Sequence, residues 1–360
     1  MAITMKDIAK DLGVSVVTVS KVLRNHSDIS AETRKRVHRR MKELNYRPNL
    51  VARALHTGRT NMIGLIVPDL IDPFFSQVAK GILTKLKVKN YGLIISSSED
   101  DPRLEKHEID KMLARGVELL ILASTQAELK SLRRMGDQEV PYILLNRKTP
   151  ELEASFVSID EVATGIQATT HLIDVGCKTI AYIAGLKGSV ALDRQTGYSM
   201  TLAKHGLTLP PEYLAVRGHI DDSSDTVGYE GMKGLLQLNP RPDGVFCCND
   251  AIAIWAMRAI FEAGLRIPAD IAVVGCGNAH YDDLLRVPLT SIDQDSLGLG
   301  ATAAKLALNI VNQKSQASHK ALWLESRLVV RASSLRSPDR DRISEQGNES
   351  ADPDEKTQFC

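Results

Sequence analysis

TMKDIAKDLGVSVVTVSKVL, Thr4–Leu23, is the stretch whose reading decides the architecture of the amino-terminal region. It holds two short helical patterns separated at Gly13, a residue type that ends helices by adopting the left-handed backbone other residues avoid. Thr4 caps the first, with Ile8, Ala9 and Leu12 on one face and Asp7 at the acceptor position of a capping box. Ser15 caps the second, turning Val19, Val22 and Leu23 inward and Val16, Val17, Thr18 and Lys21 outward. Two adjacent outward valines suit no solvated face. They suit thymine methyl groups, and Lys21 suits a guanine edge or a phosphate, so the second helix has the size and surface to enter a major groove.

A third helix starts at Ser30, with Val37, Met41 and Leu44 along one stripe and Arg34, Lys35, Arg36, Arg39 and Arg40 around it, and closes a three-helix unit. A plain helical hairpin inside a larger core is the competing reading, and charge argues against it. Residues 1–60 carry 13 Lys and Arg against 5 Asp and Glu, a net of +8, whereas the other 300 carry 32 against 39, a net of −7. A nearly neutral whole thus divides into a basic head and an acidic body, the electrostatic footprint of a module for the phosphate backbone. The next stretch, YRPNLVARALHTGRT (46–60), starts a short helix near Pro48 that runs over Asn49–Leu55 and stops at Gly58.

Beyond residue 60 the chain is long enough for about two domains. Short apolar runs alternate with amphipathic stretches. The expected strands are Met62–Val67, Leu93–Ser97, Leu119–Ala123, Tyr142–Asn146, Thr179–Ala184, Val245–Cys248 and Ile271–Gly275. The expected helices include Phe75–Lys89, Leu104–Arg115, Val162–Val175, Leu192–His205, Ala251–Ala263 and Leu297–Asn312. Apolar strands between helices indicate parallel sheets covered on both faces, and the pattern runs twice with a change near Val157–Val162, giving two doubly wound lobes. A ligand cleft then lies at the carboxyl ends of the strands, where Asp69, Asp72, Phe74, Asn146, Arg147, Asp160, Arg194, Asn249, Asp250 and Asn278 fall. Each alone is more often a helix cap; their shared position at strand ends argues for a site that grips hydroxyls or carboxylates.

The Thr4–Leu23 string, then YRPNLVARALHTGRTNMIGLIVPDLIDPFF, RQTGY at Arg194, CNDAIAIWAMRAIFEAGLRIPADIAVVG from Cys248 and VPLTSIDQD from Val287 occur in this order. Together they resemble the lactose-repressor/galactose-repressor (LacI/GalR) family of bacterial transcription regulators, over nearly the whole chain to about Ser334. The resemblance implies an all-α helix-turn-helix head and an α/β body like a periplasmic sugar-binding protein. The domain expectation is a DNA-binding domain at 1–46, a hinge helix at 47–60, a two-lobed effector-binding and dimerisation domain at 61–334, and a tail at 335–360.

It further implies a homodimer on a pseudo-palindromic operator in double-stranded DNA, with a carbohydrate or sugar derivative as effector. By position, Thr4, Ser15, Thr18, Ser20 and Asn25 hold phosphates, Val16, Val17 and Lys21 face bases, and Asn49, Ala52 and Leu55 contact the minor groove, Leu55 prising open the central base step. Arg194 and Asn249 match effector-hydroxyl positions, Asp72, Phe74, Asn146, Arg147 and Asp160 line the other wall, and Asn278 supplies an amide. Two departures stand out. Where the family often has an aromatic and two acids, this chain has Cys276, Gly277 and Asn278, so a sugar-binding carboxylate is missing at Gly277; and Lys21 replaces the more usual arginine. Ligand in the cleft is expected to change the lobe angle and thereby assemble or melt the linker helices.

A solute-binding protein, sensing without specific DNA binding, is the alternative; it needs a signal peptide, and Met1–Lys10 has no apolar core before a small-residue cleavage site. No run approaches membrane-spanning length, so the expected location is the cytoplasm, with no membrane partner. The sequence has no glycine-rich dinucleotide motif, no Walker loop and no nucleophile elbow with partners, and its cysteines and histidines lack metal-ligand spacing. No enzyme activity, catalytic residue, cofactor or metal is therefore expected. Residues 337–360 carry 3 basic and 7 acidic side chains and few apolar ones, which reads as a disordered tail without the leucine heptads that join dimers into tetramers.

Overall fold

Three helices make the amino-terminal unit of the computed structural model, which describes residues 3–23, 26–46, 54–55, 57–124, 140–146, 154–185, 189–207, 210–216, 224–312 and 319–336. They are α1 (Met5–Leu12), α2 (Val16–Leu23) and α3 (Ala31–Glu43). Thr4 and Asp7 close a capping box at the start of α1, and Gly13, at φ 64°, ends it. Ser15 Oγ accepts from Thr18 N–H at 3.0 Å, and Ser30 caps α3 through Thr33 N–H. Ile8, Ala9, Val19, Val22 and Val37 form the core, with Leu12, Leu23, Met41 and Leu44 packed against it. Three basic residues of α3 serve this small unit internally: Arg40 pairs with Asp11 at 2.7 Å, Arg36 donates to the Leu12 carbonyl, and Arg34 donates to that of His26.

The chain from Asn61 onward forms a second compact unit, separate from Met1–Thr60. Its first sheet contains β1 (Met62–Val67), β2 (Gly92–Ser97), β3 (Leu119–Leu122), β4 (Tyr142–Leu145), β5 (Ser155–Ile159) and β11 (Ala321–Leu324) in the order β11-β5-β4-β3-β1-β2, all parallel. Helix α4 (Pro73–Val88) and α10 (Ser296–Asn312) share a core with one face, and α5 (Pro102–Ala114) covers the other. The second sheet contains β6 (Ile180–Ala184), β7 (Leu214–Val216), β8 (Gly244–Cys247), β9 (Ala272–Cys276), β10 (Thr290–Asp293) and β12 (Arg327–Val329) in the order β12-β10-β9-β8-β6-β7, with only β12 antiparallel to its neighbour. On its two faces lie α6 (Glu161–Asp174) with α7 (Ser189–Lys204), and α8 (Ser224–Leu235) with α9 (Asp250–Glu262). No helix among the described residues is long and apolar enough to cross a membrane.

The lobes are not the two successive halves suggested by the change near Val157–Val162. The chain crosses there into the second lobe, returns after β10 so that α10 packs beside α4, adds β11 beside β5, and crosses again to β12. Hydrophobic period identifies a strand but not the sheet it joins, so the return was not encoded in that signal. The chain also stays anchored past the expected tail boundary at 335: Arg336 Nε donates to the Pro268 carbonyl at 3.1 Å. The remainder of that expectation, 337–360, lies outside the described residues.

Glycines set how closely paired helices approach. A Cβ on Gly300 of α10 would stand 2.1 Å from the Val78 carbonyl oxygen of α4, and one on Gly81 of α4 would stand 2.2 Å from that of Leu297. Gly165 and Gly197 make the same reciprocal crossing between α6 and α7. In an open helix Gly→Ala gains up to about 1 kcal/mol. Gly300→Ala is expected to reverse that sign and lower stability by about 1–3 kcal/mol, because the clash is with backbone that no rotamer change can move. The midpoint of urea unfolding reads this directly.

Candidate functional site

On the head, α2 presents the surface that matters. Val16 is 37% exposed and Val17 61%, an apolar pair left in solvent beside a fully buried Val19. Thr18 Oγ1 lies 2.9 Å from Ser15 Oγ, so these hydroxyls already share a bond at the start of the helix. Thr4 caps α1 through its own hydroxyl, and Ser20 lies half-buried on α2. Lys21 pairs with Asp28, in the turn before α3, so its ammonium must exchange a carboxylate for any phosphate or base edge. Leu55 is 84% exposed. Asn25, Asn49 and Ala52 lie outside the described residues.

Between the lobes of the second unit is a cleft of about 230 Å³, open solvent included. Asp72, Pro73 and Phe74 line it from the first lobe, and Asn249, Asp250, Ala251, Cys276, Gly277, Ala279 and Tyr281 from the second. Sequence logic places them there: the residues that follow β1, β8 and β9 are also those that start the next helix or turn. Asp72 caps α4 by accepting from Phe74 N–H at 2.9 Å, and Asn249 caps α9 by accepting from Ile252 N–H at 2.8 Å. Burial, with the charges of Asp69 and Asp250, pushes the Asp72 carboxyl up against the lowering effect of the Phe74 bond. Burial and the neighbouring carboxyls push the Tyr281 hydroxyl up to about 12.

The other expected residues are not among those lining this cleft. Arg194, 4% exposed, donates from Nε to Glu161 Oε2 at 2.7 Å and from Nη1 to the Cys248 carbonyl; Gln294 Nε2 holds the second Glu161 oxygen at 3.0 Å. Asn146 follows β4 at φ 53°, buried, with Oδ1 lacking a hydrogen-bond partner among the described residues. Asn278 Oδ1 accepts from Arg331 Nη2 at 2.7 Å, and its N–H donates to Ser291 Oγ. Asp160 is exposed and caps α6 through Ala163 N–H at 3.0 Å; it is not among the residues lining the cleft. Arg147 lies outside the described residues.

Sequence reasoning placed Asp250 at the cleft but overlooked Tyr281 and Asp282, the second carboxyl of a buried pair. Asp250, 4% exposed, accepts from Ser291 Oγ at 2.6 Å and Ala279 N–H at 3.0 Å. A Cβ on Gly277, at φ 136°, would come 2.9 Å from Asp250 Oδ2, so this carboxylate lies against the position where the sequence lacks one. Asp282 is fully buried beside Asp250, and the burial with the Asp250 charge raises it to about 8. At neutral pH the pair therefore retains a shared proton. A carboxyl raised on folding stabilises below its unfolded value near 3.8, and that contribution is lost as pH rises towards 8. Asp282→Asn is expected to flatten this slope and raise the melting temperature at pH 8 by at least about 2 °C, the shift from 1 kcal/mol in a unit of this size. Thermal unfolding from pH 5 to 9 checks it.

Chemically the cleft offers oxygen acceptors at Asp72, Asn249 and Asp250 together with the rings of Phe74 and Tyr281. Hydroxyl donors answer the acceptors, and the apolar face of a sugar ring answers the aromatic rings. Among the described residues no group of three or more His, Cys, Asp or Glu is placed to hold a metal.

Comparison with known proteins adds three findings. Residues 4–49 match the family described as bacterial regulatory proteins, lacI family, and residues 169–334 match the periplasmic binding protein-like domain. The chain is 33% identical to the ribose operon repressor of Haemophilus influenzae, over 92% of this chain and 98% of that one. Among solved structures it resembles the lac repressor dimer bound to operator and the anti-inducer ONPF (28% identity, TM-score 0.81, covering 93% of this chain and 100% of that one). It also resembles the CelR–cellobiose complex (27% identity, TM-score 0.70, covering 92% and 99%).

Proposed function

Because the chain belongs to the lacI family of bacterial regulatory proteins, we propose that it is a repressor whose basic head reads a pseudo-palindromic operator as a homodimer while a carbohydrate in its cleft sets the affinity. The observation that carries the reading is the exposed Val16–Val17 pair on a short helix held by a packed core. On that surface Val16, Val17 and Lys21 read base edges, while Thr4, Ser15, Thr18 and Ser20 contact phosphates. Leu55 enters the minor groove, an apolar side chain that contributes most once out of water.

The effector is a carbohydrate, the class of ligand in the CelR–cellobiose complex. Asp72, Asn249 and Asp250 accept from its hydroxyls and Phe74 packs on its ring, while the Arg194–Glu161 pair fixes the floor. Asn146, whose buried Oδ1 has no partner among the described residues, is the first-lobe group that closure brings to the ligand. The protein acts in the cytoplasm, where its DNA is, and has no catalytic role. Both sites are coupled because ligand alters the lobe geometry and so the relative spacing of paired heads. Selection from a randomised duplex library, with and without a panel of mono- and disaccharides, tests this. Enrichment of a palindrome that one sugar shifts is expected; a tight sugar complex without sequence-selective DNA binding would instead favour a solute-binding sensor.

A further inference from the structure

We propose that Cys248 and Cys276 form a dithiol modification site in the floor of the cleft, which a hydroperoxide closes to an intramolecular disulfide. Strands β8 and β9 pair in parallel with Phe246 opposite Val274 as the last registered pair. Two residues on, the same register sets Cys248 opposite Cys276. Both strands keep their extended course to that level through their other neighbours, since Cys248 N–H donates to the Ile183 carbonyl of β6 at 2.8 Å and Gly277 N–H to the Ile292 carbonyl of β10 at 2.8 Å. Neighbouring strands lie about 4.8 Å apart, within the roughly 4.4–6.8 Å window of Cα separations in disulfides.

The two sulfurs also face the same way. Phe246, Val274 and Cys276 belong to the core under α6 and α7; Cys248, at the end of β8, touches that core as well as the opposite one. Cys248 Sγ accepts from Arg194 Nη1 at 3.8 Å, and the same guanidinium interacts with Cys276. Cys247 faces the opposite core with Val245 and Val273, and Cys177 lies at the far end of the sheet beside Asp243 and Gly244. Cys248 is half-buried while Cys276, 2% exposed, still lines the cleft, so Cys248 meets the oxidant and Cys276 resolves it.

In the first step the Cys248 sulfur attacks a hydroperoxide oxygen; the O–O bond breaks, and the thiol proton leaves with the alcohol, or with water when the oxidant is hydrogen peroxide. The Cys276 sulfur then attacks the resulting sulfenic acid, forming the S–S bond, breaking the S–O bond and releasing water with the Cys276 proton. Two electrons pass from two thiols to one hydroperoxide.

The test uses full-length protein carrying Cys360→Ser, which leaves four of the five cysteines. Stepwise hydrogen peroxide, alkylation and peptide mapping are expected to show free thiols falling from four to two per chain, with one cross-linked pair, 248–276. In Cys276→Ser the intermediate has no resolving partner, so a dimedone adduct should accumulate at Cys248. A 247–248 disulfide, sulfinic acid at Cys248 with Cys276 still reduced, or four thiols surviving an excess of peroxide would each overturn the proposal.

Discussion

Replacing Arg194 with Met lowers the stability of the ligand-binding unit by about 3–5 kcal/mol, the cost of removing one partner of a buried ion pair. Glu161 is 2% exposed and, among the described residues, would retain Gln294 as its side-chain partner, together with a charge it cannot hydrate. The Cys248 carbonyl loses its donor as well. If the loss comes from the stranded charge, Arg194→Met with Glu161→Gln must recover part of it, because the pair is then replaced by neutral groups. Urea unfolding of the wild type, both single variants and the double variant gives the four numbers required. Additive losses would mean that the two side chains act independently, contrary to the 2.7 Å contact between them.

Leu55→Ala is expected to weaken operator binding by roughly 30–150-fold, while binding to random duplex changes less than twofold. An apolar wedge compensates for an unstacked base step costing a few kcal/mol, and about 1.4 kcal/mol corresponds to each factor of ten in affinity. Contacts to phosphate account for most non-specific affinity, and leucine makes none that alanine could not. Leu55 is 84% exposed, so little folding stability is at stake and a loss cannot be traced to a damaged core. Fluorescence anisotropy on a selected and a scrambled duplex at one salt concentration separates the effects; equal losses on both would make Leu55 a packing residue.

The head was legible because its signals are local. A capping box at Thr4 and Asp7, a left-handed Gly13 and a serine before a valine run leave little freedom over twenty residues. The sheets were legible where strands are long and continuously apolar, as in Met62–Val67; Ala321–Leu324 is apolar too, but it is four residues long, alternates between exposed and half-buried positions at a sheet edge, and was not read as a strand. The three-residue β7 and β12 are too short for any period to register. At the cleft, strand ends pointed to Asp72, Phe74 and Asn249, but Asp160 and Asn278 turned out to be engaged by α6 and Arg331. Tyr281 and Asp282 were missed because they sit in a short turn beyond β9, and only the folded chain shows Asp250 and Asp282 as neighbours. The buried Arg194–Glu161 pair joins residues 33 apart in sequence, which spacing alone cannot reveal.

The central claim is that ligand in the cleft and operator on the head change each other's affinity, and linkage makes this measurable from either side. Operator affinity is determined with and without a saturating sugar, and sugar affinity on free protein and on the operator complex. The account predicts the same factor from both pairs, on the order of 5–150-fold. An operator affinity untouched by a sugar that demonstrably fills the cleft would contradict it.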